Sequence, residues 1–256
     1  MIESFGDEKN RKIALLIDGD NAQPSLIGDI LAEVGKYGLI TIRRIYGDWT
    51  TVNMAGWKKV LHENAIQPVQ QFRYTVGKNA TDSALIIDAM DILHSRLVDG
   101  FCIVSSDSDY TRLATRIREA GYFVMGIGKR STPKAFVNAC NVFIYTENLR
   151  PREREKERRR RAGGEKAGEE QRSRSYDPLP LLKAAVDMAT DEDGWAKLST
   201  IGFYLRQLDP GFDPRTYGYR QLSQLFKAYP EVFELRFENE RGLTRIWVRI
   251  KEKEKD

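Results

Sequence analysis

Three short acidic segments hold the residues whose types and spacing suit chemistry: Asp18-Gly19-Asp20-Asn21, Thr81-Asp82, and Ser105-Ser106-Asp107-Ser108-Asp109. Carboxylates brought together from separate segments repel one another. The usual remedy is a hard divalent cation held by oxygen ligands and retained waters, Mg²⁺ or Mn²⁺. A pocket of that kind commonly serves phosphate chemistry.

The elements that must position these acids are legible as apolar runs. Ile13-Ala14-Leu15-Leu16-Ile17 precedes the first segment and Phe101-Cys102-Ile103-Val104 precedes the third, and both have the continuous apolar character of a strand buried on two faces. Between about Lys12 and Leu149 strands alternate with helical stretches. Strands are expected at Ile40 to Tyr46, Ile66 to Phe72, Tyr122 to Ile127 and Val142 to Tyr145. Helices are expected at Ser25 to Tyr37, Met54 to Asn64, Ala80 to Ser95 and Tyr110 to Ala120, with a short one starting near Pro133. This order implies an α/β fold, a mostly parallel sheet sandwiched by helices. In such sheets the ligand crevice lies past the carboxyl ends of the strands, which is where Asp18 and Asp107 fall.

Asp18 closes the first strand and points out of the sheet, so a metal contact is the favoured reading. Asp20 suits a helix cap as well as it suits a metal, and Asn21 suits a cap, a phosphate contact or a metal-bound water. Asp82 shares a helical face with Leu85, Ile86, Ala89 and Leu93, so it lies over the core, toward the strand ends. Asp88 and Asp91 lie elsewhere around that helix; the first reads as structural and the second as solvated. Asp107 is favoured as a ligand, whereas Asp109 is open between ligand and helix cap. Ser105 and Ser106 serve either the site or a cap, and Lys78 is either a phosphate contact or a surface lysine.

Other chemistries fit less well. The Asp-x-Asp pattern at Asp18 and Asp20 has Ala22, not the Thr or Val that an aspartyl-nucleophile phosphatase places two residues after the second acid. The two histidines, His62 and His94, fall on helices away from the strand ends, which leaves no hydrolase triad. Gly126-Ile127-Gly128 lacks the third glycine of a dinucleotide fingerprint.

The 256 residues suffice for two domains, and 30% of them are charged with a net charge of +4. No apolar run has the length of a membrane span and no signal-like segment opens the chain, so no membrane association is expected. Cys102 and Cys140 are too few for a disulfide framework or a zinc site. These points favour the cytoplasm.

From Arg150 to Arg174 eleven lysines and arginines face six acids, including Arg158, Arg159, Arg160 and Arg161. The segment reads as a basic flexible linker, 150–176, suited to a polyanion or simply solvated. Beyond it, helices are expected at Pro180 to Ala189, Leu198 to Gln207 and Arg215 to Ala228. Two strands follow, Val232 to Phe237 and Thr244 to Ile250. This is the order of a small winged helix, a shape used for nucleic acid and for protein docking alike. Arg215, Arg220 and Lys227 are the candidate contacts to nucleic acid. Tyr217 and Tyr219 suit base stacking or the core.

The motifs Leu16-Ile17-Asp18-Gly19-Asp20-Asn21, Lys78 with Thr81-Asp82, and Val104-Ser105-Ser106-Asp107-Ser108-Asp109-Tyr110 resemble the three signatures of NYN domains of the PIN-like nuclease superfamily, in their bacterial LabA-like (DUF88) branch. The resemblance covers about residues 11–149. Residues 177–251, with Gly218-Tyr219-Arg220-Gln221-Leu222, resemble an OST-HTH (LOTUS) domain. The first resemblance implies a metal-dependent endoribonuclease using one or two Mg²⁺ or Mn²⁺ ions and a water nucleophile. Asp18, Asp82 and Asp107 then bind the metal, with Asn21 and Asp109 in support. Lys78 and Ser106 face the nucleic acid. The second implies binding of single-stranded or structured RNA, or of a protein partner. Two other readings remain at this stage: a non-catalytic RNA-binding regulator, and a DNA-directed nuclease. Oligomeric state is not indicated.

Overall fold

The computed structural model describes residues 10–72, 80–149, 177–240 and 243–251. The chain divides into two compact units, residues 1–151 and 152–256.

The first unit is built on strand β1, Lys12–Asp18, in which every residue from Ile13 to Asp18 is buried. Its neighbours are β2 (Leu39–Gly47) on one side and β4 (Gly100–Val104) on the other. With β3 (Gln67–Gln70), β5 (Phe123–Gly128) and β6 (Val142–Tyr145) they form one six-stranded sheet in the order β3-β2-β1-β4-β5-β6. All pairings are parallel. Parallel neighbours need crossover helices, and these cover both faces.

Side-chain alternation along β1 divides the core in two. Ile13, Leu15 and Ile17 pack with α1 (Ile27–Val34) and α2 (Trp57–Glu63) through Ile27, Ile30, Val34, Trp57 and Leu61. Ala14 and Leu16 pack on the other face with α3 (Ala80–Ser95), α4 (Thr111–Glu119) and α5 (Lys134–Ala139). Leu85, Ala89, Ile92 and Leu93 supply the α3 side of that contact. Each buried Leu or Ile stabilises the fold by about 1.5–3 kcal/mol. Asp18 continues the even register, so it falls on the α3 and α4 face. The chain leaves β1 and β4 toward opposite faces. The crevice of a doubly wound sheet therefore opens between their carboxyl ends. A short helix, α6 (Thr146–Leu149), closes the unit.

Several boundaries differ from the expected ones. The segment expected as a helix from Ser25 to Tyr37 is a 3-10 turn, Pro24–Leu26, followed by the shorter α1. Pro24 opens that turn, and Val34 with Gly35 ends the helix. The helix expected from Tyr110 likewise starts with a 3-10 turn, Ser108–Tyr110. The linker, including Arg158, Arg159, Arg160 and Arg161, and the loop holding Lys78 lie outside the described residues.

The second unit begins with α7 (Leu179–Ala189), whose Leu182, Ala185, Val186 and Ala189 recur at helical spacing and are buried. Just before it, Asp177 Oδ1 accepts from the Leu179 N–H at 3.0 Å. After it come β7 (Ala196–Lys197) and α8 (Leu198–Leu208). The single helix expected from Arg215 to Ala228 is instead broken. A 3-10 turn, Pro214–Tyr217, ends at Gly218 with φ +93, and α9 runs only from Leu222 to Lys227. Strands β8 (Phe233–Glu240) and β9 (Leu243–Ile250) pair antiparallel, and β7 adds a third strand to give the order β7-β9-β8. Phe226 and Phe233 meet edge to face in the core, their centroids 4.8 Å apart. No helix among the described residues is long and apolar enough to cross a membrane.

Candidate metal and nucleic-acid site

Asp18 is 1% exposed and its carboxylate is fully engaged. Oδ2 accepts from Asn21 Nδ2 at 2.7 Å and from Ser105 Oγ at 2.8 Å, and Oδ1 accepts from the backbone N–H groups of Asp20 and Asn21. Asp18 thus ties the loop after β1 to the end of β4. Burial raises its carboxyl above the ordinary value, while the Asn21 and Ser105 hydrogen bonds pull the other way. Asn21, open between a cap and a ligand contact in the sequence, is an Asp18 partner.

Asp82 sits in the first turn of α3 and accepts from the Tyr110 hydroxyl at 2.7 Å. Burial raises its carboxyl, and Asp18, Asp107 and Asp109 raise it further, against the lowering by Tyr110. Asp107 follows β4; its own N–H donates to Ser105 Oγ at 3.1 Å, and its Oδ1 caps the 3-10 turn by accepting from the Asp109 N–H at 2.9 Å. The cap of that turn is therefore Asp107 rather than Asp109.

Asp82, Asp107 and Asp109 each offer an oxygen, and these oxygens lie within 4.8 Å of one another; this is the group of potential metal ligands among the described residues. Sequence reasoning expected Asp18, Asp82 and Asp107 as the ligands with Asp109 in support. The structure brings all four into one electrostatic neighbourhood but gives Asp109, not Asp18, a place in the tightest group. Hard oxygen donors in a half-buried, anionic setting fit a small divalent cation.

Two residues of the site were not singled out from sequence. Tyr110 is fully buried against Phe136, and its hydroxyl, pushed up by burial and by Asp18, stays a donor to Asp82. Lys129 follows β5 and lines a narrow crevice with Asn21, Ser105 and Ser106. Its N–H donates to the Ser106 hydroxyl at 2.8 Å. The aromatic ending the third motif was the available signal for Tyr110; for Lys129 the pattern carries none. Asp88, read as structural, accepts from both Arg44 and Tyr46, and Asp91 is exposed.

In the second unit, Arg215 is held by Asp213, its Nη2 2.6 Å from Oδ2. Arg220 is exposed, and the Lys227 ammonium lies over the Phe237 ring at 4.6 Å from the centroid. Tyr217 and Tyr219 are partly buried against the core, and Tyr217 packs at a tilt against Phe212, with centroids 5.8 Å apart. The outer sheet face carries a set that the sequence did not disclose. Arg236 and Arg249 both lie over Trp195, at 4.8 and 4.7 Å.

The family model of the NYN domain matches residues 12–147, and that of the OST-HTH/LOTUS domain matches residues 174–243. Among solved structures, the chain is similar to a protein of unknown function from Vibrio parahaemolyticus, with 18% identity and a TM-score of 0.45, covering 55% of this chain and 94% of that one. An uncharacterized protein from Nitrosomonas europaea is 30% identical, with a TM-score of 0.28, over 36% of this chain and 96% of that one. A protein from Chromobacterium violaceum is 25% identical, with a TM-score of 0.27, over 33% and 90%. No curated protein matches the chain.

Proposed function

The chain belongs to the NYN domain family, within the PIN-like nuclease superfamily, and from that premise we propose that it is a metal-dependent endoribonuclease whose RNA is recruited by the OST-HTH/LOTUS domain. The observation that carries the reading is the convergence of Asp82, Asp107 and Asp109 beside the buried Asp18 at the carboxyl ends of β1 and β4.

In this reading Asp82, Asp107 and Asp109 hold one or two Mg²⁺ or Mn²⁺ ions, with Asp18 completing the anionic wall. A bound ion lowers the pKa of a water and stabilises charge on the phosphoryl oxygens. The protein's own groups hold the geometry around it. Tyr110 fixes the Asp82 carboxylate, Asn21 and Ser105 fix Asp18, and the Ser105 hydroxyl also fixes the Asp107 backbone. Ser106, next to Asp107 in the chain, and Lys129, whose backbone N–H holds the Ser106 hydroxyl, carry a hydroxyl and an ammonium of the kind that suits the non-bridging oxygens of a phosphodiester. Lys78 and the arginines 158 to 161 join this proposal on their charge alone. Arg220 and Lys227, with Arg215 oriented by Asp213, form the RNA side of the second unit. A reducing cytoplasm suits the two buried free thiols, Cys102 and Cys140.

The test is cleavage of labelled single-stranded and structured RNAs, and of DNA of the same sequence, with Mn²⁺, Mg²⁺ or EDTA. Metal-dependent internal cleavage of RNA, lost in Asp82→Asn and in Asp107→Asn, is the expected result. Binding without cleavage under every ion would replace the nuclease with an RNA-binding adaptor. Equal cleavage of DNA would remove the RNA preference.

A further inference from the structure

The sheet of the first unit has a second opening, at the end opposite the acids. A cavity of about 590 Å³ lies where α3 and α4 end and β4 and β5 begin, and His94, Arg96, Asp99, Arg116 and Tyr122 line it. Most of the lining residues are exposed, so it is an open depression, with room for more than a lone inorganic anion.

The lining is cationic. The Asp99 carboxylate is already engaged, accepting from the Lys12 N–H at 2.7 Å. Arg96 and Arg116 have no ion-pair partner among the described residues, and both are exposed. Arg96 also holds a left-handed backbone, φ 53, that residues with a Cβ seldom adopt. Tyr122 is half-buried and seated edge-on against Phe101, with centroids 6.0 Å apart. Two free guanidiniums beside a fixed aromatic ring are the chemistry that recognises a phosphate joined to a base.

The cavity is also aligned with the acids. Asp82 opens α3 and His94 closes it, about 18 Å further along at 1.5 Å per residue. On α4 the buried Leu113, Ala114 and Ile117 leave Arg112 and Arg116 on one flank, one turn or about 6 Å apart. Arg118 falls on the other flank, where its Nη1 donates to the Asn138 carbonyl at 2.9 Å. Arg112 and Arg116 thus share one flank of α4, which starts after Asp109 and ends at the depression.

We propose that this cavity is a nucleotide-binding site, with the phosphate between Arg96 and Arg116 and the base against Tyr122, and that its nucleotide belongs to the nucleic-acid strand that also reaches the acids. The nucleotide site stands on its own geometry; only its source rests on the nuclease reading.

Affinity is measured on the full chain in EDTA, without turnover, so the result is independent of whether the acids cleave anything. The probes are labelled RNA of about a dozen nucleotides and free AMP. Arg96→Ala with Arg116→Ala is expected to weaken RNA binding about tenfold and to make the salt dependence shallower by about one phosphate contact. Lysine at both positions restores most of the affinity, and Arg118→Ala leaves it unchanged. A melting curve equal to that of the unaltered chain shows that the fold is kept. Loss of AMP binding with RNA affinity unchanged keeps the site and assigns it to a free nucleotide. Unchanged affinity for both probes, with the salt slope unchanged, overturns the proposal.

Discussion

At the carboxyl ends of β1 and β4 acids face acids, whereas on the outer sheet of the second unit each paired arginine faces an acid or an indole. Asp82 is raised by burial and then by Asp18, Asp107 and Asp109. Arg249 meets Glu234 at 2.7 Å, Arg236 meets Glu238 at 3.0 Å, and both guanidiniums lie over Trp195. Exposed pairs of this kind contribute at most about 1 kcal/mol each, so they tune a surface rather than hold a fold. Like charges gathered at the end of a buried strand cost stability, and the large two-sided core of the first unit offsets that cost. A fold that keeps a local conflict of this sort keeps it for a ligand that resolves it. The contrast separates acids that meet acids from a surface whose arginines have met acids and an indole.

Substitutions that remove one carboxylate from each unit break the comparison most sharply. Asp107→Asn keeps an acceptor for the Asp109 N–H but removes a charge. It is expected to lower ion-dependent cleavage by about 10³-fold, since an ion supplies several kcal/mol of transition-state stabilisation. Thermal melting in EDTA should be unchanged or raised; a lowered melting temperature would mean that the acids are structural. Asp213→Ala acts in the opposite sense. It removes a buried cap on the Arg215 N–H at 2.8 Å together with the Arg215 ion pair, and denaturant unfolding of the second unit should lose about 2 kcal/mol.

Tyr110→Phe keeps the ring and removes one hydrogen bond to Asp82. Divalent-ion affinity, read by titration, is expected to fall about tenfold, as it does when a group that orients a ligand is removed. An unchanged affinity would place Asp82 outside the ligand set. The smallest effect is on pH. Asp18 and Asp82 both have carboxyls raised above their unfolded values, so the folded chain binds more protons in that window. Their contribution in EDTA is therefore a stability that is gained as pH falls through the raised values and is complete below the ordinary carboxylate range. Melting curves across mildly acidic pH check the sign, and added Mn²⁺ should flatten or reverse the trend.

Much of the first unit was legible because it obeys simple periodicities. The continuous apolar runs of β1 and β4 placed Asp18 and Asp107, and the face shared by Asp82, Leu85, Ala89 and Leu93 placed the third acid. Leu85, Ala89 and Leu93 are buried together in the core against β1 and β4. The broken helix near Gly218 was not legible, because Leu222, Leu225 and Phe226 continue the helical spacing while only the backbone shows the left-handed turn. β7 has two residues, too few for any pattern. The Tyr110 contact with Asp82 and the approach of Lys129 to Ser106 depend on how separate elements meet. No local spacing encodes that.

The measurement that tests the central claim most directly is a calorimetric titration of the metal-free chain with Mn²⁺, beside Asp82→Asn and Asp107→Asn. The account requires saturable binding that both substitutions weaken by at least about tenfold, with melting of the second unit unchanged. Binding of equal strength in all three proteins, or none in the unaltered chain, would contradict it.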